Sequence, residues 1–158
     1  MTQCTCKISI KNGLAHPRRS VALLEYPASY VDITKAYSAL DERYYLKSFD
    51  VWMDGHSRPK RYHGWNPSDY DGRYAHCYVF KNVDAGERLY GFLCRPKEPA
   101  DFEYEMCVLV LYAKKKKDKT DPAELARAER MRTDIHVQAA LLDPELFRNG
   151  EGKCSWIR

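Results

Sequence analysis

Lysine and arginine are concentrated in one stretch of the sequence, residues 112–132. This stretch holds eight Lys or Arg and four Asp or Glu, so its net charge equals the +4 of the whole 158-residue chain. Cations gathered in this way are typical of proteins that bind a polyanion such as RNA. The alternative is a solvated lysine loop, since charge runs are common on protein surfaces. The densest part of the stretch is a lysine run formed by Lys114, Lys115, Lys116, Lys117 and Lys119.

Three arginines lie on predicted strands beside the strand that ends at Lys114. They are Arg73, Arg88 and Arg95. Because neighbouring strands lie about 4.8 Å apart, side chains on one face converge, and we expect these arginines to share a concave surface with the lysines. Such a surface would bind a phosphate and stabilise the charge of a phosphoryl transition state. Arginines that only pair with surface acids are an equally good interpretation.

RNA cleavage is a reaction that such a surface can support. When the neighbouring 2′-hydroxyl is the nucleophile, no metal is needed. The reaction then requires a base, an acid and cations around the phosphorane, and Lys, Arg, Tyr and His can fill these roles. The sequence does not fix which residue is the base and which the acid.

Aromatic residues form a second group. The chain has twelve tyrosines. Flat side chains interleaved with cations are typical of surfaces on which unpaired bases stack, although most tyrosines belong to cores or interfaces. The crowded set is Tyr62, His63, Trp65, Tyr70, Tyr74 and Tyr78, interleaved with Arg58, Lys60, Arg61 and Arg73.

The six cysteines do not predict a metal site. They lie at positions 4, 6, 77, 94, 107 and 154, and only Cys4 and Cys6 are close together. A one-residue gap is poor spacing for zinc ligands, and the spacing of His56, His63 and His76 matches no ligand pattern. We therefore expect no metal, no cofactor and no disulfide, and cysteines that act as small buried hydrophobes.

Composition indicates one globular domain. Apolar residues make up 44% of the chain and charged residues 30%, which is ordinary for a folded protein. The longest apolar stretch, residues 106–113, is too short to cross a bilayer. The first residues lack the apolar core of a signal peptide. These features predict a cytoplasmic protein that does not contact a membrane.

Apolar periodicity predicts an α+β fold. Weak strands are indicated near Ile8 and over residues 21–26, and a helix over 32–46. Three strands follow over 73–81, 87–95 and 102–113. Short turns join these three strands, which predicts an antiparallel meander.

The last helix has the clearest start. Asp121 is placed as the N-cap, Pro122 takes the first helical position, and Glu124 completes a capping box. Its apolar face continues to Leu142, before Asp143 and a proline. The sequence thus divides into a poorly readable N-terminal extension (1–30), a core (31–142) and a C-terminal tail (143–158).

The second half of the chain resembles the HigB-type toxins of the RelE/ParE superfamily. The resemblance covers residues 73–132, and the chain departs from the family at Asp121, where the family has proline. It indicates a divergent or phage-derived relative. The matching motif is Arg88-Leu89-Tyr90-Gly91-Phe92, an apolar strand, and then Lys115-Lys116-x-x-Lys119-Thr120-x-x-x-Glu124-Leu125-x-x-Ala128.

The resemblance implies a small antiparallel sheet with helices packed on one face. It also implies a toxin that cleaves messenger RNA at the ribosome without metal and is neutralised by a cognate antitoxin protein. Carried over by position, Arg88, Lys115 and Lys116 are the candidate catalytic residues, joined by Arg73 and Tyr90. The RNA-binding candidates are Lys114, Lys117, Lys119, Arg95, Tyr112 and His76.

Two other classes of function fit the same residues. A non-catalytic protein from a phage or mobile element could use the basic face to bind nucleic acid or to inhibit a host enzyme. A protein-interaction domain could use its tyrosine-rich strands as an oligomer interface, because Tyr and Arg are enriched at interfaces. The sequence does not predict the oligomeric state.

Overall fold

Strands and helices follow one another through the part of the chain that the structure describes. The structure, a computed structural model, describes residues 1–27, 33–96, 103–115 and 120–158. The strands are β1 (Gln3–Asn12), β2 (Arg19–Glu25), β3 (Tyr62–Gly64), β4 (Cys77–Asn82), β5 (Glu87–Cys94), β6 (Glu105–Lys114) and β7 (Glu151–Ile157). The α-helices are α1 (Ile33–Ser38), α2 (Glu42–Met53), α3 (Pro122–Arg132), α4 (Ile135–Leu141) and α5 (Glu145–Asn149). A short 3-10 helix spans Asp69–Gly72.

All seven strands belong to one sheet, in the order β3-β4-β5-β6-β2-β1-β7. The meander predicted from the sequence is confirmed, because β4, β5 and β6 pair antiparallel in succession. The α+β class is confirmed as well. The expectation of a small antiparallel sheet is wrong, since β2 pairs parallel with β6 and carries β1 and β7 beyond it.

Helices cover both faces of the sheet, so the expectation of helices on one face is wrong. Tyr90, Phe92 and Val108 point to a core closed by α3, α4 and α5. Leu89 and Leu109 point to a second core closed by α1 and α2. The reason lies in the central strands, which are apolar on both faces and must therefore be covered twice.

Each of the two long helices predicted from the sequence is divided into two shorter helices in the structure. The first, predicted over 32–46, breaks after α1, and Asp41 starts α2 by accepting the N–H of Tyr44 at 3.4 Å; residue 32 lies outside the described part of the chain. The last helix breaks after α3, where Asp134 accepts the N–H of His136 at 2.8 Å. In both cases a carboxylate inside an apolar repeat caps a new helix. The predicted cap at Asp121 is confirmed, because Asp121 accepts the N–H of Ala123 at 2.9 Å.

A bulge in β6 decides which residues share a face. The register shifts between Tyr90 and Gly91: Tyr90 lies across from Leu111 and Gly91 from Leu109, so that Val110 is an extra residue in β6. A Cβ on Gly91 would lie 2.1 Å from the carbonyl oxygen of Val108, so the bulge requires glycine there. An extra residue moves every later side chain of the strand to the opposite face. Tyr112 therefore lies across from Leu89 and not from Arg88.

Candidate functional site

Buried cations lie at one end of the meander, which we call the basic end: the end of β4, the start of β5, the end of β6 and the start of α3. Lys81 and Arg88 are directly opposite each other in register. They are only 6% and 5% exposed, and both interact with other groups of the protein. Strand alternation places them on the face covered by α3, with Val79 and Tyr90. Buried charges in such positions require partners, because desolvation is costly.

Lys115 completes the basic end from β6. Its ammonium forms an ion pair with the carboxylate of Glu124 in the first turn of α3, and the two side chains are 18% and 9% exposed. Its backbone N–H donates to the carbonyl oxygen of Gly86 at 2.6 Å. Gly86 has a φ of +69°, and a Cβ there would lie 2.5 Å from the carbonyl oxygen of Lys115. The turn between β4 and β5 thus needs glycine to bring Lys115 into place.

The start of α3 contributes the carboxylate of Glu124, which lies in the first turn of the helix. The N–H groups of this turn are used inside the protein, because Pro122 has none and those of Ala123 and Glu124 donate to Asp121 at 2.9 and 3.0 Å. The basic end therefore combines Lys81 and Arg88 with the Lys115–Glu124 pair. Cations of this kind can bind a phosphate, and the pair can donate and accept protons.

Tyr90 belongs to the core of the α3 face. It is 2% exposed, and its ring packs beside that of Trp65 with centroids 6.4 Å apart and planes at 28°. A ring enclosed in this way offers no free face to a base. The structure thus places Tyr90, two residues after Arg88, in a packing role.

Tyr112 and Lys114 lie at the basic end on the opposite face. Tyr112 is half-buried against the core of α1 and α2, and its pKa is raised by burial and then by Glu87. Lys114 is exposed and lies across from Glu87. The hydroxyl of Tyr45, from α2, donates to the carboxylate of Glu87 at 2.9 Å. The β6 bulge separates Tyr112 and Lys114 from Arg88.

Arg73, His76 and Arg95 lie at the other end of the meander. Arg73 precedes β4 and donates to the carbonyl oxygen of Tyr70 at 3.1 Å. His76 and Arg95 line a cleft of about 460 Å³ with Cys94, Glu105 and Arg132. Seven residues of extended chain from Arg88 to Arg95 correspond to about 23 Å. The expectation that three arginines converge on one surface is therefore wrong. The remaining candidates, Lys116, Lys117 and Lys119, lie outside the described residues.

A second cleft lies at the same end as Arg95, on the α2 face. It has a volume of about 330 Å³, and its lining includes aromatic side chains and Arg19. The Arg19 guanidinium is 4.6 Å from the ring centroid of Trp52, donates to the Trp52 carbonyl oxygen at 2.5 Å and lies 3.5 Å from the Glu105 carboxylate. We call this region, with its lining residues, the cleft end. It is lined by Arg19, Trp52, Gly55, His56, Ser57, Pro59, Tyr62, His63, Tyr78, Leu93 and Glu105.

Comparisons with protein-family models, with curated proteins and with solved structures give no significant match. Within the described residues, no three or more His, Cys, Asp or Glu side chains are grouped so as to hold a metal ion. No helix in the described ranges has the length and apolarity needed to cross a membrane.

Sequence reasoning missed the burial of Lys81 and the ion pair of Glu124 with Lys115. Lys81 alternates with Val79 along β4, so a charged residue on the apolar face of a strand was a usable signal. Glu124 was interpreted as a capping-box residue, whereas its carboxylate pairs with Lys115. Arg19 and Glu105 carry no local signal, because only the pairing of β2 with β6 brings them together.

Proposed function

We propose that this protein binds RNA at the basic end and acts there as a metal-independent endoribonuclease toxin. The observation that carries the proposal is that Lys81 and Arg88, opposite each other in register, share the basic end with the Lys115–Glu124 ion pair. Three cations provide the electrostatic stabilisation that a phosphorane dianion requires. The resemblance of residues 73–132 to HigB-type toxins supports the same function.

The Lys115–Glu124 pair supplies the proton transfers in this proposal. The Glu124 carboxylate accepts the proton of the 2′-hydroxyl as its oxygen attacks phosphorus. The Lys115 ammonium donates a proton to the 5′-oxygen as the bond from phosphorus to that oxygen breaks. Arg88 and Lys81 stabilise the charge on the non-bridging oxygens. The products are a 2′,3′-cyclic phosphate and a 5′-hydroxyl end.

RNA binding must compete with the ion pair inside the protein. A phosphate that approaches Lys115 replaces part of its contact with Glu124, which frees the carboxylate to act as a base. On the resemblance, the substrate is messenger RNA at the ribosome in the cytoplasm, and a cognate antitoxin protein covers the basic end until it is removed.

The test is induced expression in a bacterial host with mapping of RNA 5′ ends. Wild-type protein is compared with Arg88→Ala/Lys115→Ala and with Arg73→Ala/Arg95→Ala, which removes the same charge from the other end of the meander. We expect growth arrest and new 5′-hydroxyl ends with wild type and with Arg73→Ala/Arg95→Ala, and neither with Arg88→Ala/Lys115→Ala. Arrest by the folded Arg88→Ala/Lys115→Ala variant excludes this site assignment.

A non-catalytic role is the second candidate, and the burial of the cations favours it. Lys81 and Arg88 are almost fully enclosed, and enclosed cations reach a scissile phosphate only if the covering residues move. In this case the protein binds nucleic acid or a host enzyme through its exposed lysines. Binding that weakens steeply with salt, without cyclic-phosphate products, identifies this function.

A further inference from the structure

Strands β1 and β7 bring two cysteines into register far from the basic end. Cys6 lies directly across from Cys154. Further along the same pair of strands, the backbones of Thr2 and Arg158 exchange both hydrogen bonds, at 3.0 and 2.8 Å. Because hydrogen-bonded and non-hydrogen-bonded pairs alternate along an antiparallel ladder, Cys6 and Cys154 form a hydrogen-bonded pair with Cα atoms about 5.5 Å apart. This Cα separation is within the range that a disulfide spans. The Cβ atoms of such a pair lie about 5.5 Å apart, so the two strands move closer by about 1 Å when the bond forms.

The two thiols lie on the same face but differ in exposure. Cys6 is fully buried in the core covered by α4. Cys154 packs against the same core and is partly exposed. The Cys154 thiol is thus accessible to a small molecule, whereas the Cys6 thiol lies in the core.

A fixed imidazole lies beside the accessible thiol. Nδ1 of His136 is 3.8 Å from Sγ of Cys154, and its ring stacks on Trp156 with centroids 3.7 Å apart and planes at 2°. Asp134 accepts the backbone N–H of His136 and also the hydroxyl of Tyr26, at 2.9 Å. The imidazole is therefore oriented to accept the Cys154 proton, which is how histidine activates a thiol.

We propose that Cys154 and Cys6 form a redox-active dithiol that reacts with low-molecular-weight disulfides. The Cys154 thiolate attacks one sulfur of the disulfide, forms a mixed disulfide and releases one thiolate. The sulfur of Cys6, after losing its proton, attacks Sγ of Cys154 and releases the second thiolate. In total, one external disulfide is reduced to two thiols, and the Cys6–Cys154 disulfide forms.

Burial and the position of His136 select Cys154 as the first nucleophile. Cys4 is also partly exposed, but the imidazole of His136 lies beside Cys154. Burial raises the pKa of Cys6 to about 12 and has the same effect on Cys77 and Cys94. Cys107 is fully buried. Thiols that stay protonated react slowly. The attack of Cys6 on the mixed disulfide is accordingly slower than the attack of Cys154 on the external disulfide, because Cys6 must lose its proton while buried. The mixed disulfide on Cys154 therefore accumulates transiently.

The test is to treat the reduced full-length chain with oxidised glutathione and to follow it by intact mass and peptide mapping after acid quenching. We expect a transient glutathione adduct on Cys154, followed by a product lighter than the reduced protein by two hydrogens with Cys6 linked to Cys154. In Cys6→Ser and Cys6→Ala the adduct on Cys154 persists. Cys4→Ser is the matched control, because Cys4 lies on the same face of β1, and it behaves as wild type.

His136→Gln measures the contribution of the imidazole. We expect adduct formation on Cys154 to slow by about tenfold, with the circular dichroism spectrum and melting temperature compared to exclude misfolding. Adduct formation mainly at Cys4, or a Cys6→Ser variant that still loses the adduct as wild type does, overturns the proposal. No RNA is present, so the result does not depend on the proposed function of the basic end.

Discussion

The two ends of the meander both carry arginines, but they hold them in different ways. At the basic end, Lys81 and Arg88 are buried opposite each other, and Lys115 is held by Glu124. At the other end, Arg73 and Arg95 are exposed. Lysines and arginines in this sequence therefore have two kinds of structural environment. Exposed cations are solvated and their positions are loosely fixed, whereas buried cations need an arrangement of turns, caps and partners that holds them.

Replacing a glycine of positive φ is expected to give the largest difference in unfolding free energy between the basic end and the cleft end. Gly86 at the basic end and Gly55 at the cleft end both have positive φ, at +69° and +84°. A Cβ on Gly86 would meet the carbonyl oxygen of Lys115 at 2.5 Å, whereas one on Gly55 meets nothing within 4 Å. Positive φ costs an alanine about 1 kcal/mol, and overpacking adds about 2 kcal/mol. We expect Gly86→Ala to lower the free energy of unfolding by about 3 kcal/mol and Gly55→Ala by about 1 kcal/mol.

Urea denaturation of the two variants measures this difference, with the slope of the transition checked for a two-state process. Equal losses of stability show that the close approach of Gly86 to Lys115 does not constrain the basic end.

A matched pair of tyrosines, one at each end, is expected to give a smaller difference in unfolding free energy. Tyr45 donates to the carboxylate of Glu87 at the basic end, and Tyr62 donates to the backbone carbonyl of His56 at the cleft end. Hydrogen bonds to charged groups contribute about twice as much as neutral ones. We expect Tyr45→Phe to cost about 2 kcal/mol and Tyr62→Phe about 1 kcal/mol in thermal or chemical unfolding. The reverse order shows that Glu87 is satisfied by solvent.

The same two tyrosines are expected to differ, by a smaller amount, in how the free energy of unfolding depends on alkaline pH. The pKa of Tyr45 is raised by burial and then by Glu87, and that of Tyr62 is raised by burial but lowered by nearby arginines. Because the pKa of each tyrosine is raised in the folded state, the folded protein keeps the phenol proton at a pH where the unfolded chain has lost it. The tyrosine therefore contributes fully to the free energy of unfolding below a pH of about 10, and this contribution falls above that pH. At pH of about 11 we expect the fall to be about 1 kcal/mol shallower in Tyr45→Phe than in wild type, and less changed in Tyr62→Phe. Parallel pH profiles for all three proteins refute this assignment.

Local patterns predicted the meander and the start of α3. The alternation along β4 to β6 needs only neighbouring residues, and the pair Asp121–Pro122 caps a helix by contacts within one turn. Strand β7 was missed because its inward positions include Gly152, which gives little apolar signal, although Cys154 and Trp156 do alternate with polar residues.

Features that depend on long-range pairing were not predictable from the sequence. The extra residue in β6, Val110, is an ordinary strand residue, and the bulge is set by the close approach of Gly91 from β5. That single shift moved Tyr112 and Lys114 away from Arg88. The cleft around Arg19 depends on the parallel pairing of β2 with β6, which no local spacing encodes.

RNA affinity as a function of salt tests the central claim most directly. A single-stranded RNA is titrated with wild type, with Arg88→Ala/Lys115→Ala and with Arg73→Ala/Arg95→Ala, each of which removes two positive charges, after their melting temperatures have been compared. We expect Arg88→Ala/Lys115→Ala to weaken binding by more than about tenfold and to reduce the salt slope by about two, with Arg73→Ala/Arg95→Ala close to wild type. Equal losses in the two variants, or a greater loss in Arg73→Ala/Arg95→Ala, contradict the assignment of RNA binding to the basic end.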